Sequence, residues 1–485
     1  MPTLKVLFLA SEADPLIKVG GLGDVAGSLP YALQGLSPEW TGGINLDIRV
    51  AIPFHSAIRQ KLEKFEQIAA YNVTHAEGDI PATIFETKIN DLVIYLIAGP
   101  PFGAGEPVYT TDNYRDGSKY AFFSLAALDL YRYIDWVPDV IHANDWHTAL
   151  APYAAKFSPA FSELNTIPSV LTIHNLPFMG AGAQRALEEY YIPPSLDPDL
   201  PEWARLIPLP LGLVSADRVV AVSASYAEEI LTPEFGCGLE SYLQSRQATV
   251  TGILNGLDQI SWDPSTDQNI PFQFDAQSLN DRQKNREALL TELGLKNDPK
   301  IPLLIIISRM DQQKGIDLAI EALHQVGNNP WQAAILGTGA PLLEASCRHL
   351  QETYPDRVRA ILKFDANLAR RMYAGGDMIL MPSRYEPCGL AQMISMRYGC
   401  VPVARATGGL KDTIQDILSP GATGFLFTEA SSSALAETLE KAFLKYSDHS
   451  EWEKLQLRGM QMDFSWQRSA LAYAQLYQTI KEQVE

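Results

Sequence analysis

The stretch Lys18-Val19-Gly20-Gly21-Leu22-Gly23-Asp24 decides the fold class of this chain. It follows an apolar run, Leu4–Ala10, that reads as a buried β-strand, and it precedes Val25–Leu33, which has the pattern of a helix. A strand, a glycine-rich turn and a helix start form an anion site, because N–H groups at a helix start point at the ligand. Glycine lets the ligand approach, and Lys18 adds a mobile positive charge suited to phosphate. The stretch predicts an α/β fold that binds something phosphorylated.

Two other kinds of glycine-rich loop differ from this stretch in their spacing. A dinucleotide fold carries G-x-G-x-x-G, whereas Gly21, Gly23 and Gly27 stand at G-x-G-x-x-x-G. A Walker A loop needs Lys and then Ser or Thr after its last glycine, but Gly23 is followed by Asp24. A plain turn between strand and helix also accounts for these glycines taken alone. The remaining motifs of the chain must therefore decide between these alternatives.

The charge balance narrows the class of ligand. The chain has 485 residues, with 38 Lys and Arg against 57 Asp and Glu, which gives a net charge of −19. An acidic protein is poorly suited to nucleic acid or to anionic membranes, and well suited to a small molecule or a neutral polymer. We therefore expect neither nucleic acid nor a membrane among the partners.

The cysteines and the start of the chain bear on the compartment. The four cysteines lack the close spacing of a metal or redox motif: Cys237, Cys347, Cys388 and Cys400. Scattered cysteines are typical of a reducing compartment. A first strand that begins at about Leu4 leaves no room for a signal or transit peptide, so we expect a cytoplasmic protein.

Short apolar runs alternate with helical patterns in both halves of the chain, which predicts parallel sheets of βα units. The runs of the first half are Leu4–Ala10, Leu46–Pro53, Asp139–Ala143, Val170–His174 and Arg218–Ser223, with a hairpin or meander over Thr83–Ala98. Those of the second half are Pro302–Ser308, Gln332–Gly337, Val358–Phe364, Met378–Pro382, Val401–Ala404 and Gly424–Phe427. The helical patterns among the latter are Ile316–Leu323, Leu342–Leu350, Leu368–Ala374 and Leu390–Tyr398.

A polar stretch, Asp258–Lys300, separates the two sets, and we place the domain boundary near its start. The predicted domains are residues 1–257 and 258–465, and Arg282–Leu293 is expected to be a helix of the second. Residues 466–485 are predicted to form a C-terminal helix that packs back on the first domain. Two doubly wound, Rossmann-like domains facing a central cleft would bind ligands at the carboxyl ends of their strands.

Several polar segments follow predicted strands. Ser308–Gly315 places Arg309 and Lys314 at a strand end, where two cations can neutralise a diphosphate, although a solvated surface pair fits this segment alone. Pro382–Leu390 also opens a helix, and Glu386 there can accept hydrogen bonds from sugar hydroxyls. A loop ion pair between Arg384 and Glu386 is the alternative.

Three further segments end strands in the same way. Thr407-Gly408-Gly409-Leu410 makes another glycine turn at a helix start. His174 ends the predicted strand Val170–His174, where a single histidine is as often structural as functional. Asp145 follows Asp139–Ala143, and it either carries chemistry or caps a helix that begins near His147.

Together these motifs resemble the bacterial glycogen synthase and plant starch synthase family. The matching segments occur in the family's order and span nearly the whole chain: Lys18–Asp24, His142–His147, Thr172–Asn175, Asn255–Asp258, Ser308–Gly315, Pro382–Gly389 and Thr407–Leu410. The resemblance implies a retaining glycosyltransferase of the GT-B fold. Such an enzyme transfers glucose from ADP-glucose to the non-reducing end of an α-1,4-glucan (glycogen, starch or a maltooligosaccharide) and releases ADP. It also implies that neither a cofactor nor a metal ion is required.

The resemblance implies a role for each matching position. The implied catalytic residues are Asp145, His174, Arg309, Lys314 and Glu386. Besides the last three of these, the implied ADP-glucose contacts are Lys18, Gly20, Gly21, Asp24, Asn255, Phe364, Tyr373, Cys388, Gly389, Leu390, Thr407, Gly408 and Gly409. The acceptor side is implied for Tyr109, Asp145 and His174. Phe364 stands where the family usually carries a tyrosine stacked on the base, so the stack is kept without the hydroxyl.

The chain departs from the family pattern at two places, and three other functions compete. After Leu176, Pro177–Met179 stands where the family commonly has Ala-Tyr-Gln, which alters the acceptor side, and Lys119-Tyr120 stands where Arg-Phe is usual. Related retaining families carry a second Glu eight residues after the first, where this chain has Ile394. The glycogen and starch synthase family also lacks this second Glu. The competing functions are a sucrose-type glucosyltransferase, a non-catalytic glucan-binding protein and a nucleotide-sugar epimerase.

Overall fold

The structure is a computed structural model that describes residues 2–483. The chain divides into two compact units, of which one comprises the residues up to Gly256 and those from Trp466 on, and the other comprises Leu257–Ser465. The sequence predicts this boundary between residues 257 and 258, one residue further along the chain. Among residues 2–483, no helix combines the length and the apolar composition needed to cross a membrane.

One sheet organises the first unit. Its strands are β1 (Thr3–Leu9), β2 (Asn45–Pro53), β3 (Glu66–Val73), β4 (Ile80–Ile89), β5 (Leu92–Ala98), β6 (Val140–Asn144), β7 (Ser169–Ile173), β8 (Arg218–Ala221) and β9 (Val250–Gly252). Their order across the sheet is β3-β4-β5-β2-β1-β6-β7-β8-β9, and neighbours are parallel except within the β3-β4-β5 meander. The hairpin or meander predicted over Thr83–Ala98 is the hairpin of β4 and β5, and β3 extends it to a meander that the sequence did not indicate.

Helices cover both faces of this sheet. They are α1 (Gly21–Gln34), α2 (Ser56–Arg59), α3 (Asn113–Asp129), α4 (Leu150–Phe157), α5 (Gln184–Glu189), α6 (Pro208–Ser215), α7 (Ala224–Glu229) and α8 (Glu240–Ser245). Successive side chains of β1 point to opposite faces, so Leu7 and Leu9 enter a core with α3 and α4, while Val6 and Phe8 enter another with α1. Burial on both faces explains why the strand reads as a continuous apolar run.

The second unit has a sheet of its own. Its strands are β10 (Leu303–Ile307), β11 (Gln332–Leu336), β12 (Val358–Ile361), β13 (Met378–Met381), β14 (Val401–Arg405) and β15 (Phe425–Phe427). Its helices are α9 (Arg282–Leu293), α10 (Ile316–Gln325), α11 (Pro341–Thr353), α12 (Ala366–Gly375), α13 (Ala391–Arg397), α14 (Gly408–Thr413), α15 (Ser432–Tyr446) and α16 (His449–Met460). The strand order β12-β11-β10-β13-β14-β15 is parallel throughout and has the 3-2-1-4-5-6 pattern of a doubly wound domain.

The last helix, α17 (Trp466–Glu482), packs in the first unit. Its buried face joins the core that contains α1, and Tyr477 Oη lies 2.6 Å from His142 Nδ1 on β6. Trp466 lies against Gly256, where a Cβ atom would clash with its backbone and ring. The C-terminal helix is therefore a structural part of the unit that carries β1 and β6.

Candidate functional site

The polar segments follow the strands at which each sheet changes its winding direction. In the first unit this reversal lies between β1 and β6, and in the second between β10 and β13. Ligands of doubly wound sheets bind outside the carboxyl ends of the strands at such a point. Each unit therefore has a reversal point of the kind that the sequence predicts, and each is described by itself below.

Glu12 fills the glycine turn of the first unit. The N–H groups of Val19 and Gly20 donate hydrogen bonds to its carboxylate, and Tyr109 donates its hydroxyl to Oε1 at 3.0 Å. Burial raises the pKa of Glu12, although the amide hydrogen bonds act against this shift. One of the amides that the sequence assigns to a phosphate, that of Gly20, is thus bound to the chain's own carboxylate. The sequence predicts no role for Glu12, and its only signal there is its position three residues after the end of β1.

Helix α1 begins at Gly21 rather than at the predicted Val25, with Gly20 as its N-cap. Gly21 and Asp24 therefore lie in the first helical turn, where an acidic side chain interacts favourably with the helix dipole. Asp24 also pairs with Lys18, whose Nζ lies 2.5 Å from its Oδ1.

Asp145 follows β6 in a left-handed backbone conformation, with φ of 55°. Its Oδ1 accepts hydrogen bonds from the backbone N–H groups of His174, at 2.7 Å, and of Asn175. Burial raises the pKa of Asp145 to about 7, against the effect of these two amides. The alternative of a helix cap near His147 is wrong, because α4 begins only at Leu150 and the carboxylate binds the end of β7 instead.

The hydrogen bonds of His174 determine its tautomer. Its Nε2 lies 2.9 Å from Asn144 Oδ1, and Asn144 donates its amide nitrogen to the carbonyl of Leu9. Because Oδ1 of Asn144 is the acceptor, His174 carries its proton on Nε2 and leaves Nδ1 unprotonated. Burial lowers the pKa of His174 to about 3, so the ring is neutral at physiological pH. It can accept a hydrogen bond at Nδ1 but supplies no charge.

The predicted acceptor residue Tyr109 lies in the same group. Its hydroxyl is 2.9 Å from Ser11 Oγ, and its ring is 4.8 Å from that of His147, which is buried and neutral with a pKa of about 3. Asn255 is elsewhere, because it follows β9 at the edge of the sheet. Its Oδ1 is buried and has no hydrogen-bond partner among residues 2–483.

In the second unit, Lys314 and Glu386 form an ion pair in which the carboxylate is buried and the lysine is partly exposed. The Lys314 Nζ lies 2.8 and 2.7 Å from the two carboxylate oxygens, and Ser383 donates its hydroxyl to the same carboxylate at 2.9 Å. Glu386 is only 5% exposed, so this pairing compensates for its lost hydration. The alternative pair of Arg384 with Glu386 is wrong, because Arg384 makes a bidentate pair with Asp317.

Arg309 is paired more loosely. Its Nη1 lies 3.0 Å from Asp311 Oδ2, and its Nη2 lies 3.4 Å from Gln313 Oε1. The side chain remains 64% exposed. The guanidinium therefore faces solvent at the end of β10, as the sequence predicts.

The glycines of this unit permit close backbone approach. A Cβ atom on Gly408 or Gly409 would stand about 2 Å from the carbonyl oxygen of Glu386 or Cys388. Gly409 also donates its N–H to the Glu386 carbonyl at 3.0 Å. Packing against the segment that carries Glu386 is thus a structural reason for glycine here, and Thr407 is the N-cap of the helix that follows.

The remaining predicted donor residues differ in their exposure. Phe364 is 87% exposed and lies beyond the end of β12, which is shorter than predicted. Tyr373 is buried, and its ring packs edge-on against Trp262. Cys388 is buried too, and Gly389 and Leu390 lead into α13. Among residues 2–483, no three His, Cys, Asp or Glu side chains stand close enough together to hold a metal ion.

Two family models match this chain. Residues 5–245 match the starch synthase catalytic domain, and residues 287–455 match the glycosyl transferases group 1. The chain is 39% identical to a glycogen synthase of Aromatoleum aromaticum over 98% of its length and 96% of the relative's. The chain belongs to the glycogen/starch synthase family. A second member, the glycogen synthase of Streptococcus sanguinis, is 36% identical over 98% of this chain and all of its own.

A solved structure of this family confirms the predicted fold class. The catalytic domain of starch synthase IV from Arabidopsis thaliana, bound to ADP and acarbose, aligns with a TM-score of 0.87 over 99% of both chains, at 30% identity. Sucrose-phosphate synthase from Thermosynechococcus elongatus aligns with a TM-score of 0.60 at 17% identity, and that likeness concerns the fold alone. This member of the glycogen/starch synthase family is thus a glycosyltransferase of the GT-B class. Each of its two α/β units is built on a sheet whose strands are mainly parallel.

Proposed function

We propose that this chain transfers glucose from ADP-glucose to the non-reducing end of an α-1,4-glucan, with release of ADP. The observation that carries the proposal is the full-length likeness to a starch synthase structure bound to ADP and acarbose. Family membership supports the reaction class, and the cations at the end of β10 support a diphosphate leaving group. The acidic chain as a whole repels anions, so these local cations must attract the donor.

In the second unit, Arg309 and Lys314 bind the donor diphosphate and stabilise the charge that grows on ADP. Glu386 accepts hydrogen bonds from the glucosyl ring, and Phe364 offers an exposed ring on which the base stacks. The other contacts proposed here come from Cys388, Gly389, Leu390, Thr407, Gly408 and Gly409. We leave out Tyr373, because its buried ring is not accessible to a base.

In the first unit, Lys18 and Gly21 bind phosphate oxygens, and the Gly20 N–H binds one only by exchanging the Glu12 carboxylate for the phosphate. The neutral His174 accepts a hydrogen bond from a sugar hydroxyl at Nδ1, which its tautomer leaves unprotonated. The residues proposed to contact sugar are Asp24, Asp145 and Asn255, with Tyr109 on the acceptor side.

Transfer with retention requires either a carboxylate nucleophile or a same-face displacement. Glu386 is held by Lys314 and Ser383, and Asp145 is held by two backbone amides. We favour the same-face route, in which the acceptor oxygen bonds to the anomeric carbon as the bond to phosphate breaks. The leaving phosphate then takes the proton of the acceptor hydroxyl. A glucosyl-enzyme ester detected by mass spectrometry would contradict this route.

Because side-chain cations serve the diphosphate in this proposal, the reaction requires no metal ion. Activity in excess chelator should equal that of untreated enzyme, and a loss restored by a divalent cation would refute this part. The four cysteines are all free thiols, which fits our proposal of a cytoplasmic enzyme.

One assay tests the proposed reaction. The enzyme is incubated with glycogen and either ADP-glucose or UDP-glucose, and nucleoside diphosphate release is followed together with glucan growth. We expect release that depends on glycogen and that is faster with ADP-glucose. Glucan binding without release in either arm would instead support the non-catalytic alternative.

A further inference from the structure

Arg309 and Lys314, the two cations that follow β10, are both paired with carboxylates of their own unit, but the two pairs differ in exposure. Lys314 is bound to Glu386, whose side chain is 6% exposed, whereas Arg309 is bound to Asp311, whose side chain is 31% exposed. Asp311 is therefore a solvent-facing negative charge directly beside the guanidinium that we assign to the donor diphosphate. The sequence predicts no role for Asp311 in the site.

The carboxylate of Asp311 is fixed in this position by a second contact. Its Oδ2 lies 3.0 Å from Arg309 Nη1, and its Oδ1 accepts a hydrogen bond from the backbone N–H of Lys314 at 3.1 Å. The residue thereby caps the short turn Gln312–Lys314. Turning the carboxylate away from Arg309 would break this cap, so the negative charge stays beside the cation.

Arg309 does not depend on Asp311 alone for its orientation. Its Nη2 reaches Gln313 Oε1, and Gln313 donates its amide nitrogen to the carbonyl of Tyr385. This second contact would still hold the guanidinium at the end of β10 if the charge of Asp311 were removed.

A phosphate that binds Arg309 must therefore approach the carboxylate of Asp311 closely. Like charges a few ångströms apart repel, and the same carboxylate competes for the donors of the guanidinium. We propose that Asp311 sets the affinity of this site by weakening the hold of Arg309 on the diphosphate of ADP-glucose and of ADP. This rests on the proposed function, and it makes Asp311 a residue that favours product release at the expense of donor affinity.

The variant Asp311→Asn tests this directly. Asparagine caps a helical turn as well as aspartate does, so the turn is kept while the charge is lost. We expect the Kd for ADP, measured by calorimetry, to fall by about twofold to fivefold, the range of one exposed charge pair. The KM for ADP-glucose and the Ki for ADP should fall with it, and the gain should shrink as salt is added.

Asp298→Asn is the matched control. Asp298 lies 3.0 Å from Lys296 Nζ and accepts the N–H of Lys300, so it repeats the arrangement of Asp311 before the start of β10. Asp298→Asn removes the same charge, but at the end of β10 opposite to Arg309. We therefore expect no change in ADP binding. Asp311→Ser, which also caps, guards against a fold defect of Asp311→Asn, as judged by thermal unfolding.

Arg309→Ala separates this inference from the proposed function. If Arg309→Ala binds ADP as tightly as the parent, the assignment of Arg309 to the diphosphate fails. If Arg309→Ala binds weakly but both Asp311 variants bind ADP no better than the parent, Asp311 positions Arg309 and the inference is overturned. Tighter binding in both Asp311 variants, with Asp298→Asn unchanged, supports it.

Discussion

Among residues 2–483, the strand-end groups His174 and Asp145 of the first unit form no ion pair, whereas the strand-end cations of the second unit are paired with carboxylates. Burial lowers the pKa of His174 to about 3 and raises that of Asp145 to about 7, so His174 is uncharged near neutrality and Asp145 gains or loses its proton there. In the second unit, Lys314 pairs with Glu386 and Arg309 with Asp311. The charge of a buried group with a shifted pKa changes with pH, whereas the exposed Arg309–Asp311 pair responds to salt. The comparison therefore predicts that variants of the two units fail in different ways.

The largest effect is expected from the cations of the second unit. Lys314→Ala and Arg309→Ala should each lower kcat about a hundredfold or more, because one lost electrostatic contact in the transition state costs about 3–4 kcal/mol. Steady-state kinetics with ADP-glucose and glycogen measures this. Lys296→Ala, which removes an exposed cation before β10, serves as control, and rates within a few-fold of the parent for the site variants would reject these roles.

Asp145→Asn should change how the stability of the protein depends on pH. The folded pKa of Asp145, about 7, exceeds its ordinary value of 3.8, so the folded state retains a proton that the unfolded state releases. The stabilisation that this proton gives the folded state is therefore fully present below about pH 3.8, and it is lost as the pH rises to about 7. Asparagine keeps the acceptor oxygen without the charge, so the stability gain of the variant should grow by roughly 2–3 kcal/mol from pH 5 to pH 8.

Chemical denaturation of the parent and of Asp145→Asn at pH 5 and at pH 8 tests this prediction. The exposed Asp135→Asn is the control and should show no such pH-dependent difference. A stability gain of Asp145→Asn that is equal at both pH values would contradict a buried, protonated Asp145.

The exposed ring of Phe364 should affect donor binding without changing the fold. Phe364→Ala should raise the KM for ADP-glucose about fivefold or more, since stacking of a base on an aromatic ring contributes about 1–3 kcal/mol. Phe364→Tyr should stay close to the parent. Leu342→Ala removes another exposed apolar side chain of this unit, on α11, and should leave the KM unchanged. An unchanged KM in Phe364→Ala would remove this ring from the donor site.

The smallest effect concerns the support of Tyr109. Tyr120 donates its hydroxyl to the carbonyl of Val108 at 2.6 Å, and Lys119 donates to the same carbonyl. Tyr120→Phe therefore removes one hydrogen bond, at about 1 kcal/mol of stability, without leaving the carbonyl unpaired. We expect the glucan KM to rise by about threefold or less and the donor KM to stay constant. A larger change in the donor KM would show that this segment serves the donor instead.

The sequence predicted the elements whose signals are local. The helix Arg282–Leu293 has the predicted bounds, and the parallel strands were visible as continuous apolar runs because both faces are buried. Strand β3 was missed, since it alternates buried and exposed side chains at the edge of the sheet and so lacks such a run. The start of α1 was placed four residues late, because Gly21 and Gly23 disfavour a helix on propensity alone.

What remained hidden from the sequence were contacts between distant residues. Lys314 and Glu386 are 72 residues apart and meet only because β10 and β13 are neighbours in the sheet. Glu12 carries no motif, and its role depends on the amides of a turn that folds back on it. The sequence predicts which residues belong to the site. The three-dimensional structure adds which groups each of them contacts.

The most direct test of the account is to follow a maltooligosaccharide of defined length with ADP-glucose by NMR and mass spectrometry. We predict that each ADP released accompanies one glucose added in α-1,4 linkage at the non-reducing end. ADP-glucose hydrolysis without chain growth, or growth with a β linkage, would contradict it.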